Sequence, residues 1–370
     1  MEKKNQVPKY PHLRFPEFTD EWKEVTLGEV LSFETGYPFS SDAFNEEGNG
    51  VRLIKNRDLK ADDRVVFYGG EYDAQYIVQN GDILIGMDGD FSPCLWKKGR
   101  ALLNQRVGRV NVNRNTSRVF ILYVLIDSLK KVELKTSSTT VKHLSHKDVE
   151  KIKASLPSFP EQRKIAALLS LIDERIEVQN AIIKEQEAQK ALLSKELLTP
   201  EDDWTEYAVR DCLSYEQPTK YLVKHTDYSS DSTLTPVLTA NKGFILGYTS
   251  EQGIYQKGAC IIFDDFTLDC KYVPFAFKVK SSAIKILQAR KGFDIRFMFE
   301  VIKSLSLSPF AHKRHYISEV EPIKVLVPSL PEQRKIAALL SAVDERIAVE
   351  KEYAALLQKQ KAYLLRQMFV

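Results

Sequence analysis

The sequence predicts an α+β fold built twice: two similar globular domains separated by a pair of long antiparallel coiled-coil helices, a pseudo-twofold internal repeat. Three observations carry this expectation. The stretch Pro-Ser-Phe-Pro-Glu-Gln-Arg-Lys-Ile-Ala-Ala-Leu-Leu-Ser at 157–170 returns at 328–341 with Leu330 in place of Phe159 as its one change. Each copy opens a run whose apolar residues recur at alternating steps of three and four. The segments before each run mix short β-rich stretches with one longer amphipathic stretch.

The chain has 370 residues, more than one ordinary core holds, so two or more domains are expected. Hydrophobic residues make up 44% and charged residues 28%, the balance of a globular protein rather than a disordered one. The longest apolar run, 119–126, is too short to span a bilayer, and the first residues show no apolar leader segment. Cys94, Cys212, Cys260 and Cys270 form no Cys-x-x-Cys pair, against a zinc site or a disulfide scaffold. A reduced, cytoplasmic protein without membrane contact is the expectation.

The first domain is expected over 1–156. Trp22 opens a segment ending at Leu31-Ser32, strands are predicted near 51–54, 82–85 and 106–110, and a helix over 119–134. A spacer helix follows over 157–199. Ser158 is its N-cap, Glu161 the capping-box partner three residues on, and Pro160 sits in the first turn. Its seam runs through Ile165, Leu169, Ile172, Ile176, Ile183, Leu193 and Leu197, interrupted at Gln179, Gln186 and Lys190. Such polar interruptions lower stability and help fix register and partner.

The second domain, 200–327, echoes the first. Trp204 opens a segment ending at Leu213-Ser214, strands are predicted at 259–263 and 273–279, and a helix at 293–305. The C-terminal helix, 328–370, starts with Ser329, Pro331 and Glu332 in the same roles. Its seam is Ile336, Leu340, Val343, Ile347, Ala354, Leu357, Leu364 and Met368, interrupted at Glu350 and Lys361. At 1.5 Å per residue each helix spans roughly 57 Å, too long to bury its stripe on a small domain. The two are therefore expected to pack on each other, the second returning along the first; homodimerisation through parallel seams is the alternative.

Net charge is only +3, but its distribution is uneven. Residues 100–153 hold 12 Lys/Arg against 4 Asp/Glu, and residues 271–324 hold 11 against 4. Two basic segments in a near-neutral chain fit two separate anionic contacts, as phosphate backbones require. An enzyme on DNA finds little support. No Asn-Pro or Asp-Pro dipeptide occurs for adenine methylation, and no Gly-Lys dipeptide for a phosphate-binding loop. The nearest nuclease imitation, Asp264 or Asp265 with Asp269-Cys270-Lys271, is of a kind that chance supplies in so charged a chain. His143-x-x-His146 and His312-x-x-His315 lack a third ligand, so phosphate or base contact, or simple surface position, outweighs metal binding.

The repeat and its surroundings resemble Type I restriction-modification specificity subunits over essentially the whole chain. The residues that carry the resemblance are the Pro-x-x-Pro-Glu-Gln-x-x-Ile-Ala motifs at 157–166 and 328–337. The Trp-Lys-Glu-Val-Thr-Leu-Gly-Glu-Val segment at 22–30 supports them, with a weaker partner at 204–212 that has Val209-Arg210-Asp211 where the first has Leu27-Gly28-Glu29. The resemblance implies that each globular part is a target-recognition domain reading one half of a bipartite, asymmetric site in double-stranded DNA. It implies that the helices set the gap, for which their length suggests about one to two turns of DNA. It further implies two modification subunits and two restriction subunits as partners. S-adenosylmethionine, ATP and magnesium then belong to those partners, and this chain carries no cofactor, no metal and no catalytic residue. A coiled-coil adaptor without base readout is the competing function.

Base readout favours Arg or Lys on guanine and Asn or Gln on adenine, from loops outside the apolar periodicity. In the first domain the candidates are Lys55, Asn56, Arg57, Gln105, Arg106, and the 136–143 loop with Lys142 and His143. In the second they are Asn241, Lys242, Lys271, Lys313, Arg314 and His315. The near-identical polar faces Glu161, Gln162, Arg163, Lys164 and Glu332, Gln333, Arg334, Lys335 are expected to dock two copies of one modification subunit.

Overall fold

The sequence repeat is also a repeat of strand order. The computed structural model describes residues 10–135, 143–241, 243–305, 307 and 315–370. It divides into two units, Met1–Gln179 with Tyr353–Val370, and Asn180–Glu352. In the first unit a four-stranded antiparallel sheet runs Leu31–Thr35, Val107–Val112, Ile83–Gly86, Pro93–Leu95. In the second the corresponding sheet runs Leu213–Glu216, Ile284–Ala289, Cys260–Asp264, Cys270–Val273. A two-stranded ribbon accompanies each: Lys23–Thr26 with Lys153–Leu156, and Thr205–Ala208 with Lys324–Val327.

The turns at 27–29 and 209–212 differ in type, a 3-10 turn against one α-turn, yet close in the same way. Glu29 accepts the Thr26 N–H at 3.0 Å and Asp211 the Ala208 N–H at 3.1 Å. Leu27 N–H and Val209 N–H then reach the carbonyls of Ile152 and Ile323.

The registers superpose Ile83 on Ile261 and Met87 on Asp265, with Gly81 and Gly258 just before the two strands. Both glycines adopt left-handed φ, 93° and 97°, which a side chain would resist. The strand expected at 273–279 is split: Cys270–Val273 ends at Pro274, which has no N–H to donate, and Lys278–Val279 belongs to another sheet.

Divergence between the copies concentrates in a second sheet. The first unit inserts five strands, Phe44–Asn45, Val66–Tyr68, Val51–Ile54, Ala101–Leu103 and Ile77–Val78. The second inserts three, Ile245–Thr249, Thr235–Leu238 and Lys278–Val279.

The expected domain helices form as Arg118–Lys135 and Ile295–Ser304, and the long helices as Phe159–Leu197 and Leu330–Met368. Trp22 packs edge-on against Phe120 at 6.0 Å, and Trp204 against Phe297 at 6.2 Å. Ile165, Leu169 and Met368 join the first core; Leu193, Leu197, Ile336 and Leu340 join or abut the second. Within each unit the two helix segments thus run antiparallel, with the apolar seam inward.

The polar interruption Lys361 meets Asp173 at 2.5 Å in the first unit, and Lys190 meets Asp344 at 2.6 Å in the second. Lys190 and Lys361, and Asp173 and Asp344, occupy equivalent positions of the sequence repeat. The capping-box acids turn elsewhere: Glu161 engages Arg14 and Trp22, and Glu332 engages Lys335.

Candidate nucleic-acid interface

Two loops of the first unit meet because their strands are neighbours. Lys55, Asn56 and Arg57 follow strand Val51–Ile54, which runs parallel to Ala101–Leu103, and Gln105 and Arg106 follow the latter. All five line one open cleft of about 500 Å³, together with Phe39, Phe44, Asp88 and Asn104. The Lys55 ammonium lies 4.8 Å from the Phe44 ring centre, so an aromatic face supports its charge. Gln105, Arg106 and Arg57 are exposed, and Lys55 and Asn56 are half-buried.

Asp88 ties this cleft together, a residue outside the candidates read from the sequence. Its carboxylate accepts from Arg106 Nη1 at 3.0 and 3.3 Å and contacts His143 Nδ1 at 2.9 Å. Its backbone carbonyl accepts from Asn56 Nδ2 at 2.8 Å. Side chains far apart in sequence thus share one anchor. The one available signal is an acid beside a glycine, directly after an apolar strand. Nearby, Lys60 holds the Asp90 carboxyl down at about 2. His146 points elsewhere, edge-on to Phe33, and Lys142 lies outside the described residues.

Among its described residues, the second unit does not bring its candidates together in this way. Asn241 is exposed in a turn, where its side chain accepts from Thr239 Oγ1 at 2.6 Å. Lys271 lies on the edge strand opposite Ile262. His315 is placed in the interior with no exposed surface, its Nδ1 2.9 Å from Glu319, so its side chain is not presented to a ligand as expected. Lys242, Lys313 and Arg314 lie outside the described residues. The acids of the nuclease-like set are committed internally. Asp264 accepts the N–H groups of Phe266 and Thr267, and buried Asp265 accepts those of His315 and Tyr316 and faces Lys285 at 3.4 Å. Burial pushes Cys94 and Cys270 up to about 11 and Cys212 and Cys260 up to about 12, which keeps all four as poorly nucleophilic thiols.

The matched polar faces divide by burial, which corrects the expectation that all eight residues face a partner. Glu161, Gln162 and Gln333 are buried. Gln162 donates to the Pro157 carbonyl at 2.9 Å and accepts the Ser117 N–H at 2.9 Å. Gln333 repeats this with the Pro328 carbonyl at 2.9 Å and the Asp294 N–H at 2.8 Å. In both copies the glutamine pins the long helix to the start of the domain helix. Arg163, Lys164, Arg334 and Lys335 are exposed and Glu332 half-buried; Lys164 pairs with Glu17 and Lys335 with Glu332.

Comparison with known proteins shows what this arrangement is similar to. Residues 19–188 match the model of the Type I restriction modification DNA specificity domain. The Type I restriction enzyme EcoBI specificity subunit of Escherichia coli is 30% identical over 230 residues, 55% of this chain and 48% of that protein. The EcoR124I/EcoR124II specificity subunit of the same organism is 39% identical over 186 residues, 47% of this chain and 45% of that one. The matches therefore span about half the length of these relatives. The crystal structure of a Type-I restriction-modification system S subunit from M. genitalium shares the fold, with a TM-score of 0.69 at 16% identity over 98% of this chain and 99% of that one. Over residues 19–188 the chain thus matches the Type I restriction modification DNA specificity domain, and over about half its length it is similar to Type I restriction enzyme specificity subunits.

Proposed function

We propose that the chain is the DNA-reading, non-catalytic subunit of a Type I restriction-modification complex. One observation carries the reading: Lys55, Asn56, Arg57, Gln105 and Arg106, from two separate loops, line one cleft on a specificity-domain scaffold. Guanidinium, ammonium and amide groups so gathered suit the edges and phosphates of a DNA groove. The divergent second sheets support a different target for each unit, hence an asymmetric bipartite site. The four-part division into recognition domains at 1–156 and 200–327 and spacer helices at 157–199 and 328–370 belongs to the same proposal.

The helix pair sets the distance between half-sites. The exchanged ion pairs Lys361–Asp173 and Lys190–Asp344 support an isologous, pseudo-twofold coiled coil, in which equivalent residues trade partners. Partners are two modification and two restriction subunits, which bring S-adenosylmethionine, ATP and magnesium. No helix among the described residues is long and apolar enough to cross a membrane, and a cytoplasmic place with the DNA follows from the role.

Docking is assigned to the exposed parts of the matched faces, above all Arg163 and Arg334, with the outward apolar positions Val178 and Val349 beside the seam. Reversing both charges, Arg163→Glu with Arg334→Glu, is expected to weaken assembly with the modification subunit about tenfold or more, read by titration of the purified subunits. Unchanged affinity would remove these arginines from the interface.

The decisive test of the function is methylation mapping, by single-molecule sequencing, of DNA from cells that express this chain with its modification subunit. The expected result is one bipartite, asymmetric methylated-adenine motif that disappears when this chain is omitted. Methylation independent of the chain would replace base readout with the adaptor role.

A further inference from the structure

We infer that Arg106, held by Asp88, reads a guanine in the half-site bound by the first unit, an inference that rests on the DNA-reading role proposed above. The geometry is a buttressed fork. Both hydrogen bonds between Arg106 and Asp88 run through Nη1, at 3.0 and 3.3 Å. Nε and Nη2 make no hydrogen bond among the described residues, and the side chain is 58% exposed at the cleft. The backbone is fixed as well. The Arg106 carbonyl accepts the Met87 N–H at 3.0 Å, and the Met87 carbonyl accepts the Leu144 N–H at 2.8 Å. Three chain segments are therefore stitched together behind the guanidinium.

Asn56 fits the same frame because position 86 is glycine: a Cβ there would lie 1.9 Å from Asn56 Oδ1. A free arginine loses several rotors on binding, whereas one already held by a carboxylate presents its remaining donors in a set direction. In the major groove guanine offers two adjacent acceptors, O6 and N7, which match two parallel N–H donors. Adenine places an amino donor where guanine has O6 and would repel them. Asp88 acts here as a positioning residue and Arg106 as the reading one.

At the register-matched positions, the second unit holds neither residue of this device. The backbone bond that defines the frame, Asp265 N–H to the Ala283 carbonyl at 3.0 Å, places Ala283 where the first unit has Arg106. The strand register places Phe266 where the first has Asp88. The guanine contact is thus assigned to one half-site alone, which contributes to the asymmetry of the whole.

The test uses the complete complex with its modification subunits and duplexes carrying the mapped motif, each base pair replaced in turn, with binding followed by fluorescence anisotropy. Arg106→Ala and Arg106→Lys are expected to weaken the parent duplex about 5- to 150-fold. They are also expected to abolish discrimination at one G·C pair while every other position keeps its penalty, which shows that the domain remains folded. Asp88→Asn is expected to erode discrimination at that same pair. A uniform loss on all duplexes, with a salt slope lower by about one counterion, marks a phosphate contact and overturns the inference. Unchanged binding overturns it too. An unaltered complex that discriminates no base pair overturns the DNA-reading role itself, a result separable from the other two.

Discussion

Replacing Lys285 by methionine is expected to destabilise the second unit by about 3–5 kcal/mol, because it leaves a buried carboxylate without its cation. Lys285 and Asp265 are each 1% exposed and 3.4 Å apart. The Lys285 ammonium also lies 5.1 Å from the centre of the Tyr215 ring. Asp265 Oδ1 keeps two backbone donors, His315 N–H at 3.1 Å and Tyr316 N–H at 2.8 Å, so part of its charge stays solvated by the protein. Adding Asp265→Asn removes the charge and keeps that acceptor, and is expected to recover at least half of the loss.

The first unit shows the apolar solution to the same packing problem. Its register-matched residues are Met87, Gly108 and Phe33, and the Phe33 ring occupies the space that a Cβ at Gly108 would need. Urea unfolding, with hydrogen exchange of the Cys260–Asp264 amides to localise the effect, measures both variants. A single-variant cost below about 1 kcal/mol, or a double variant no better than the single, would sink this account.

One motif residue should matter greatly in one copy and little in the other. Glu161→Ala is expected to cost about 3–5 kcal/mol, since it strips a buried bidentate partner from Arg14 and an acceptor from Trp22. The contacts are Arg14 Nε and Nη2 at 2.7 and 2.8 Å and Trp22 Nε1 at 3.3 Å, with the Glu161 side chain 1% exposed. Glu332→Ala removes an exposed ion pair to Lys335 and is expected to cost less than about 0.5 kcal/mol. Thermal unfolding of both variants compares them directly, and equal costs would mean that the Arg14 pair contributes nothing.

That contrast shows where reading the chain as a string stops. Glu161 and Glu332 occupy identical motifs, and nothing nearby in sequence announces that Arg14 reaches only one of them. The docking face read from the repeat narrowed for a related reason. Gln162 and Gln333 match because they do the same internal job, and a shared internal role preserves sequence identity as well as a shared partner would. Lys55 to Arg57 and Gln105 to Arg106 were legible as loop residues with base-reading chemistry. Their convergence depends on a parallel pairing of strands 49 residues apart, Leu53 with Leu102, and Asp88 is meaningful only beside Arg106 and His143.

What the sequence determined alone was the repeat, the two long helices with their seams, the paired tryptophans and the resemblance to specificity subunits. These features rest on short-range periodicity and on residues that recur in fixed order, so neighbours along the chain encode them. Tertiary structure decided which polar residues face inward, which seam charges pair and which loops form one cleft. Those outcomes depend on desolvation and on contacts between distant segments, and both arise only when strands and helices have packed.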